Sequence, residues 1–123
     1  MGGPRVLVVD DSRIFLDAAV EFLIGQGSVG EILTAESGQG ALMVISASPP
    51  DLLIIDLAMP GMGGLELTRR IKARWPGIPI IVLTLHDSPY HRRAAFEAGA
   101  DAFVPKTHIE YELIPVVSRL LIQ

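Results

Sequence analysis

The chain contains no cysteine among its 123 residues, which excludes disulfide bonds and thiolate metal sites and is compatible with the cytosol. It also lacks any apolar run of membrane-spanning length. Basic residues are few: ten Lys and Arg stand against fourteen Asp and Glu, and the net charge of −4 gives no reason to expect nucleic-acid binding. Because the amino terminus also lacks the layout of a signal peptide, we expect a cytoplasmic protein without a membrane segment.

The remaining composition favours a folded domain, since half of the residues are hydrophobic, and we expect one domain over residues 1–123. Apolar runs alternate with helical stretches along the chain. We expect strands at residues 5–9, 31–35, 51–55, 78–83 and 102–105. We expect helices from the cap Ser12 to residues 25–27, at 38–47, at 64–74, from the pair Ser88-Pro89 to Gly99, and at 110–122. This alternation predicts an α/β fold with a parallel sheet and helices on both faces.

Polar residues stand where four of the predicted strands end. Asp10 and Asp11 follow the first strand, Asp56 follows the third, Thr84 follows the fourth and Lys106 follows the fifth. Because the carboxyl ends of parallel strands share one edge, where open α/β folds bind ligands, these side chains are expected to meet in one pocket.

A cluster of three aspartates needs a counter-charge. Two carboxylates about 4 Å apart repel by about 4 kcal/mol at an effective dielectric constant near 20. Oxygen-only ligation favours Mg²⁺ or Mn²⁺, and Lys106 adds a second positive charge. Such a site suits a metal ion together with a phosphoryl group, and a carboxylate beside the metal can be the nucleophile that forms an aspartyl phosphate. The hydroxyl of Thr84 can donate a hydrogen bond to a phosphoryl oxygen.

In combination these motifs resemble the receiver domain of two-component response regulators, over essentially the full chain. The resemblance lies in residues 8–12, 56–64, 83–84 and 99–106. It implies a CheY-like, flavodoxin-like doubly wound (βα)5 sandwich with strand order 2-1-3-4-5. It also implies a phosphorylation-activated switch rather than an enzyme with turnover. Such a domain catalyses only its own phosphotransfer and slow autodephosphorylation.

The resemblance also implies roles for particular residues. Asp56 would accept a phosphoryl group from a histidine kinase or phosphotransfer protein, and Lys106 would pair with the phosphoryl oxygens. Mg²⁺ would be held directly by Asp11, Asp56 and the backbone carbonyl of Ala58, with Asp10 acting through a bound water.

Thr84 and Phe103 would form the switch, with Thr84 moving to bond the phosphoryl group and Phe103 following inward. The surface made by the fourth helix, fifth strand and fifth helix would then change, and a homodimer through that surface is one outcome. The output stays open between a stand-alone receiver and part of a transcriptional regulator with a DNA-binding domain beyond Gln123.

Two positions depart from the family pattern. Thr107 follows Lys106 where the family usually has a cis proline, and a trans Lys106–Thr107 bond is expected because a non-proline cis bond costs about 3 kcal/mol. Leu85 stands where the family has a small residue, and its bulk would tune access to Asp56 together with Ala58 and His86.

Three other functions compete with the switch. A metal-dependent phosphatase with an aspartyl nucleophile needs a general acid two residues further on, where this chain has Ala58. A dinucleotide-binding domain needs a glycine-rich turn after the first strand, where this chain has Asp10, Asp11 and Ser12. A degenerate receiver used only as an interaction module requires that Leu85 or Thr107 has disabled the chemistry.

The first predicted helix carries two apolar stripes. The core face is expected to contain Phe15, Ala19, Phe22 and Leu23. A second stripe of Leu16, Val20 and Ile24 is either a wide core face partly covered by the fifth helix or an exposed patch that docks a partner helix. Burial of Leu16 and Val20 within the monomer would count against docking.

Overall fold

The computed structural model describes residues 3–27 and 29–122. Five strands form one sheet in the order β2-β1-β3-β4-β5, and every neighbouring pair is parallel. The strands are β1 (Arg5–Val9), β2 (Glu31–Ala35), β3 (Leu52–Ile55), β4 (Ile80–Thr84) and β5 (Ala102–Pro105). The expected parallel sheet and its strand order are therefore confirmed.

The helices are α1 (Arg13–Gln26), α2 (Gly38–Ala47), α3 (Gly64–Arg74), α4 (Pro89–Ala98) and α5 (Ile114–Ile122). Serine caps explain three of the starting points, because the side chains of Ser12, Ser37 and Ser88 each accept a hydrogen bond from a backbone N–H three residues further on. At the other end, α1 and α4 finish at glycines in the left-handed conformation, Gly27 and Gly99. None of the helices in the described part of the chain combines the length and apolarity needed to cross a bilayer.

Three elements have boundaries that differ from the sequence expectation. Strand β3 begins at Leu52, one residue late, and β4 begins at Ile80 and extends through Thr84. The late start of β4 follows Pro79, which has no N–H to donate to a neighbouring strand. The residues expected to begin the fifth helix at position 110 lie instead in a π-helical turn, Ile109–Leu113, which follows a 3-10 turn, Lys106–His108. Pro115 is the second residue of α5, which places it in the first turn, where a missing N–H is tolerated.

The core has two sides, because alternate residues of each strand face opposite layers. On one side, strand residues such as Val8, Ile54 and Val104 pack against α1 and α5. On the other side, residues such as Leu7 and Ile55 pack against α2 and α3. A smaller cluster, containing Leu57, Val82, Ala95, Ala100 and Phe103, joins α4 to the sheet. Helices on both faces hold the sheet as a rigid support for its carboxyl edge.

Helix α1 is rotated relative to the expected core face. Leu16, Ala19 and Leu23 are its buried residues, while Phe15 and Phe22 are only partly buried against the same core. Leu16 is fully buried and Val20 is partly buried, which counts against docking of a partner helix by this stripe, although its third member, Ile24, is 63% exposed. For Leu16 the structure agrees with the alternative of a wide core face, because Val117 of α5 and Leu113 just before it belong to the cluster that contains Leu16.

Candidate functional site

Two neighbouring strands bring the aspartates together at the carboxyl edge of the sheet. Val9 of β1 is paired with Ile55 of β3, so the residues that follow, Asp10 and Asp56, lie side by side. One carboxylate oxygen from each of Asp10, Asp11 and Asp56 lies within 4.8 Å of the others. The structure therefore places the three aspartates in one cluster, as the strand-end argument predicted.

Lys106 reaches this cluster from the end of β5, two strands away from β3. Its Nζ donates a hydrogen bond to Asp10 Oδ2 at 2.7 Å and lies 4.0 Å from Asp56 Oδ2. The lysine side chain is only 13% exposed, which strengthens both attractions. The described residues contain no cis peptide bond, so the Lys106–Thr107 bond is trans, as expected.

Asp10 is additionally fixed from its own loop. Its second oxygen, Oδ1, accepts a hydrogen bond from the N–H of Ser12 at 2.8 Å, and its side chain is almost completely buried. Asp11, in contrast, is exposed. The cluster is thus asymmetric, with one carboxylate locked by two donors and one open to solvent.

Burial dominates the electrostatics of Asp56, which is 6% exposed. Loss of hydration raises the pKa of this carboxyl above its ordinary value, and the negative charge of Asp10 raises it further. The Thr84 hydroxyl, the ammonium of Lys106 and the backbone N–H of Leu57 act in the opposite direction by favouring the charged form. A cation beside Asp56 would therefore relieve an unfavourable charge.

The cluster fits a hard divalent cation. Its donors are carboxylate oxygens, the ligand type that Mg²⁺ and Mn²⁺ prefer. Three carboxylates face one ammonium, which leaves an excess of negative charge, and the exposed Asp11 provides an approach from solvent. Ala58 is exposed and lines the same cleft.

The cleft around the cluster has a volume of about 310 Å³. It is lined by Asp10, Asp11, Ser12, Asp56, Ala58, Leu85, His86 and Lys106. Leu85 is 69% exposed, so its side chain projects largely into solvent at the rim of the cleft. The cleft is large enough for a phosphoryl group and open enough to receive one.

Thr84 and Phe103 occupy buried positions beside the cleft. Thr84 is fully buried, and its Oγ1 accepts a hydrogen bond from the N–H of His86 at 3.1 Å. Phe103 is 5% exposed, and the guanidinium carbon of Arg92 lies 4.7 Å from the centre of its ring. The aromatic side chain is therefore already turned inward in this structure.

Sequence reasoning did not foresee two contacts at the site, and it placed a third residue, Gly64, only within the family motif at residues 56–64. Ser12 was expected only as a helix cap, yet its N–H also binds Asp10. The ring centre of Phe15 lies 3.9 Å from Lys106 Nζ, which no sequence signal indicates. At Gly64 a Cβ atom would lie 2.7 Å from Leu57 Cα and collide with the backbone of Asp56, so glycine is required for close packing of α3 against the site.

Comparisons with known proteins agree on one family. A family model described as "Response regulator receiver domain" matches residues 6–118. A curated relative, the response regulator MprA from Mycobacterium ulcerans (strain Agy99), is 38% identical over 117 residues. That alignment covers 95% of this chain and 50% of MprA, so the chain spans about half the length of this relative.

Solved structures give the same result. A LuxR-family two-component response regulator from Aurantimonas sp. SI85-9A1 superposes with a TM-score of 0.91 at 28% identity, covering 97% of this chain and 85% of that one. The chemotaxis protein CheY4 from Vibrio cholerae superposes with a TM-score of 0.86 at 28% identity, covering 97% of this chain and 99% of that one.

Proposed function

The chain belongs to the response regulator receiver domain family, and from this premise we propose that Asp56 is its phosphoacceptor and that a histidine kinase or a phosphotransfer protein is the donor. As a receiver domain, it is a signalling domain of a two-component system. The observation that carries the assignment of Asp56 is the cluster itself: three carboxylates within 4.8 Å of one another, with Lys106 Nζ 4.0 Å from Asp56 Oδ2.

The proposed reaction transfers one phosphoryl group. A carboxylate oxygen of Asp56 attacks phosphorus, a P–O bond forms, the P–N bond to the donor histidine breaks, and the imidazole nitrogen takes up a proton. Lys106 lies close enough to accept the new negative oxygens as ion-pair partners. The raised pKa of Asp56 is a cost for its nucleophilic form, which the ammonium of Lys106 reduces in part and a bound divalent cation would reduce further.

A divalent cation is the proposed cofactor, Mg²⁺ or Mn²⁺. When bound, it would neutralise phosphoryl oxygens as charge moves during transfer. Asp11, Asp56 and the Ala58 carbonyl would hold it directly, with Asp10 acting through water. The support for this set is the exposed position of Asp11 and the locked position of Asp10, whose two oxygens already accept hydrogen bonds from Ser12 and Lys106.

The proposed readout of phosphorylation runs through Thr84 and Phe103. The Thr84 hydroxyl, now an acceptor for the His86 N–H, would reorient to bond the phosphoryl group. The surface of α4, β5 and α5 would respond through Phe103, which packs against Ala95 of α4. A homodimer through this surface is the proposed assembly.

Control of access is proposed for Ala58, Leu85 and His86, which line the mouth of the cleft. MprA is about twice as long as the aligned region, and by analogy we propose that this receiver domain is part of a longer response regulator. We propose that any nucleic-acid binding belongs to an additional domain, since this domain carries a net charge of −4.

Intact-mass measurement tests the acceptor. We expect the wild type to gain one phosphoryl group when incubated with Mg²⁺ and a small acyl phosphate, and to lose it on treatment with hydroxylamine. Asp56→Asn should gain none, whereas Asp17→Asn, which removes an exposed carboxylate of α1, should react like the wild type. Phosphorylation of Asp56→Asn at the wild-type rate would show that another residue is the acceptor.

A further inference from the structure

The ammonium of Lys106 has a third neighbour besides the two aspartates. Its Nζ lies 3.9 Å from the centre of the Phe15 ring, in the first turn of α1, which is within the range of a cation–π interaction. The lysine side chain is 13% exposed, and Phe15 packs partly buried against the core. Cation–π attraction is strongest when the cation is shielded from water, so this contact belongs to the stronger class.

The backbone of Phe15 is tied to the same site by hydrogen bonds. Its N–H donates to Ser12 Oγ at 3.1 Å, and the N–H of Ser12 donates to Asp10 Oδ1 at 2.8 Å. The other oxygen of Asp10 accepts from Lys106 at 2.7 Å, and Lys106 returns to the Phe15 ring. These contacts link four residues in a closed cycle: Phe15, Ser12, Asp10 and Lys106.

An aromatic ring holds an ammonium in a way that a further carboxylate cannot. The ring attracts the cation through its quadrupole but brings no negative charge and no strong acceptor atom. The remaining N–H donors of Lys106 therefore stay available, and the Asp56 carboxylate lies 4.0 Å away, beyond hydrogen-bond distance. This gap is where an incoming phosphoryl oxygen would meet the lysine.

We propose that Phe15 is a positioning residue for the phosphoryl-binding lysine: its ring holds the ammonium of Lys106 beside Asp56. The inference rests on the function proposed above for Asp56 and Lys106 and extends it to a side chain with no charge and no metal-ligand atom. Without the ring, the four-carbon stem of Lys106 loses one of its anchors, and the ammonium samples positions away from the phosphoryl site.

Three variants separate positioning from packing. Phe15→Leu keeps an apolar side chain but removes the ring, Phe15→Tyr keeps the ring, and Phe22→Leu makes the same change at another partly buried phenylalanine of α1. Aromatic ring currents shift nearby protons, so the NMR signals of the Lys106 Cε protons report the contact directly. We expect the shift in the wild type, in Phe15→Tyr and in Phe22→Leu, and its loss in Phe15→Leu.

Kinetics supply the functional readout. With Mg²⁺ and a small acyl phosphate, we expect the phosphorylation rate constant of Phe15→Leu to fall roughly tenfold, the factor that a water-shielded cation–π contact can supply. Its dissociation constant for Mg²⁺ should stay within about twofold of the wild type, because oxygen ligands hold the ion. Phe15→Tyr should restore most of the rate, and Phe22→Leu should leave it unchanged.

Each other outcome overturns the inference. A wild-type rate in Phe15→Leu shows that the ring does not position the lysine, and an equal loss in Phe22→Leu, or a parallel loss of Mg²⁺ affinity, shows a general packing effect. If the wild type itself gains no phosphoryl group on Asp56, the acceptor assignment fails, and the role of Phe15 fails with it. A reactive wild type beside an equally reactive Phe15→Leu rejects the role of Phe15 alone.

Discussion

Replacing Asp56 by asparagine should stabilise the metal-free fold near neutral pH, although it removes the proposed acceptor. Asp10 and Lys106 act on the charge of Asp56 with nearly equal and opposite effects, while Asp11, also within 4.8 Å, is exposed and its repulsion is screened by solvent. Repulsion from Asp10, within 4.8 Å, is at least about 3.5 kcal/mol at an effective dielectric constant near 20, and attraction to Lys106 at 4.0 Å is about 4 kcal/mol. Burial of the charge is then the deciding factor, and we expect the free energy of unfolding of Asp56→Asn to exceed that of the wild type by about 1–2 kcal/mol.

The pH dependence follows from the direction of the shift. The pKa of Asp56 in the folded protein lies above 3.8, its ordinary value, so the folded state keeps a proton over a range in which the unfolded chain has lost it. Wild-type stability therefore falls as pH rises from 3.8 through the folded-state pKa. The stability difference between Asp56→Asn and the wild type should be largest above the folded-state pKa of Asp56 and should shrink as the pH falls towards 3.8.

Thermal unfolding followed by circular dichroism measures this effect. In a chelating buffer near neutral pH, a domain of 123 residues should melt about 4 °C higher for each kcal/mol gained. Mg²⁺ at about 100 times its dissociation constant should stabilise the wild type by about 2.7 kcal/mol and Asp56→Asn far less. Asp17→Asn on the exposed surface of α1 controls for net charge. An Asp56→Asn variant that melts below the wild type in chelator, or gains as much from Mg²⁺, refutes the reasoning.

Three other substitutions test the surroundings of the site. Gly64→Ala should destabilise the fold by roughly 2–3 kcal/mol in chemical denaturation because its Cβ meets backbone atoms, whereas Gly77→Ala, with no atom within 4 Å, should be nearly neutral. Thr84→Val removes the acceptor of the His86 N–H at 3.1 Å and should lower the free energy of unfolding by about 1 kcal/mol. The same substitution should reduce the NMR chemical-shift changes that beryllofluoride produces in β5. Leu85 is 69% exposed, so Leu85→Ala should change the free energy of unfolding by less than about 0.5 kcal/mol. It should increase the phosphorylation rate in intact-mass assays, and an unchanged rate would contradict the proposed control of access by Leu85.

The location of the acidic cluster was predictable because it depends on topology rather than on side-chain detail. Once Val9 and Ile55 end neighbouring parallel strands, the residues that follow them must lie at the same edge. Most element boundaries were predictable for a different reason: the apolar runs and the serine caps are local signals that can be identified in the sequence. Lys106 lies at the same edge because β5 also runs parallel to the other strands.

The details that were wrong or missing depend on contacts between elements. The rotation of α1, which buries Leu16 and leaves Phe15 partly exposed, is set by packing against the sheet and α5, and periodicity alone resolves it only to about one residue, or 100°. The π-helical turn before α5 ends at Leu113, which is buried in the core, and no short-range pattern in the sequence indicates such a turn. Contact between Phe15 and Lys106 joins positions 91 residues apart in the chain and depends on both side-chain conformations.

The division of labour among the aspartates links cation binding to phosphoryl binding. Lys106 donates a hydrogen bond to Asp10 at 2.7 Å and lies 4.0 Å from Asp56. A divalent cation held by Asp11 and Asp56, with Asp10 acting through water, would compete with the ammonium for the charge of Asp10, which would weaken that hydrogen bond and free Lys106 for oxygens arriving at Asp56. Coupling of this kind is reciprocal, so under the proposed mechanism a phosphoryl group that engages Lys106 would raise the affinity of the aspartates for the cation.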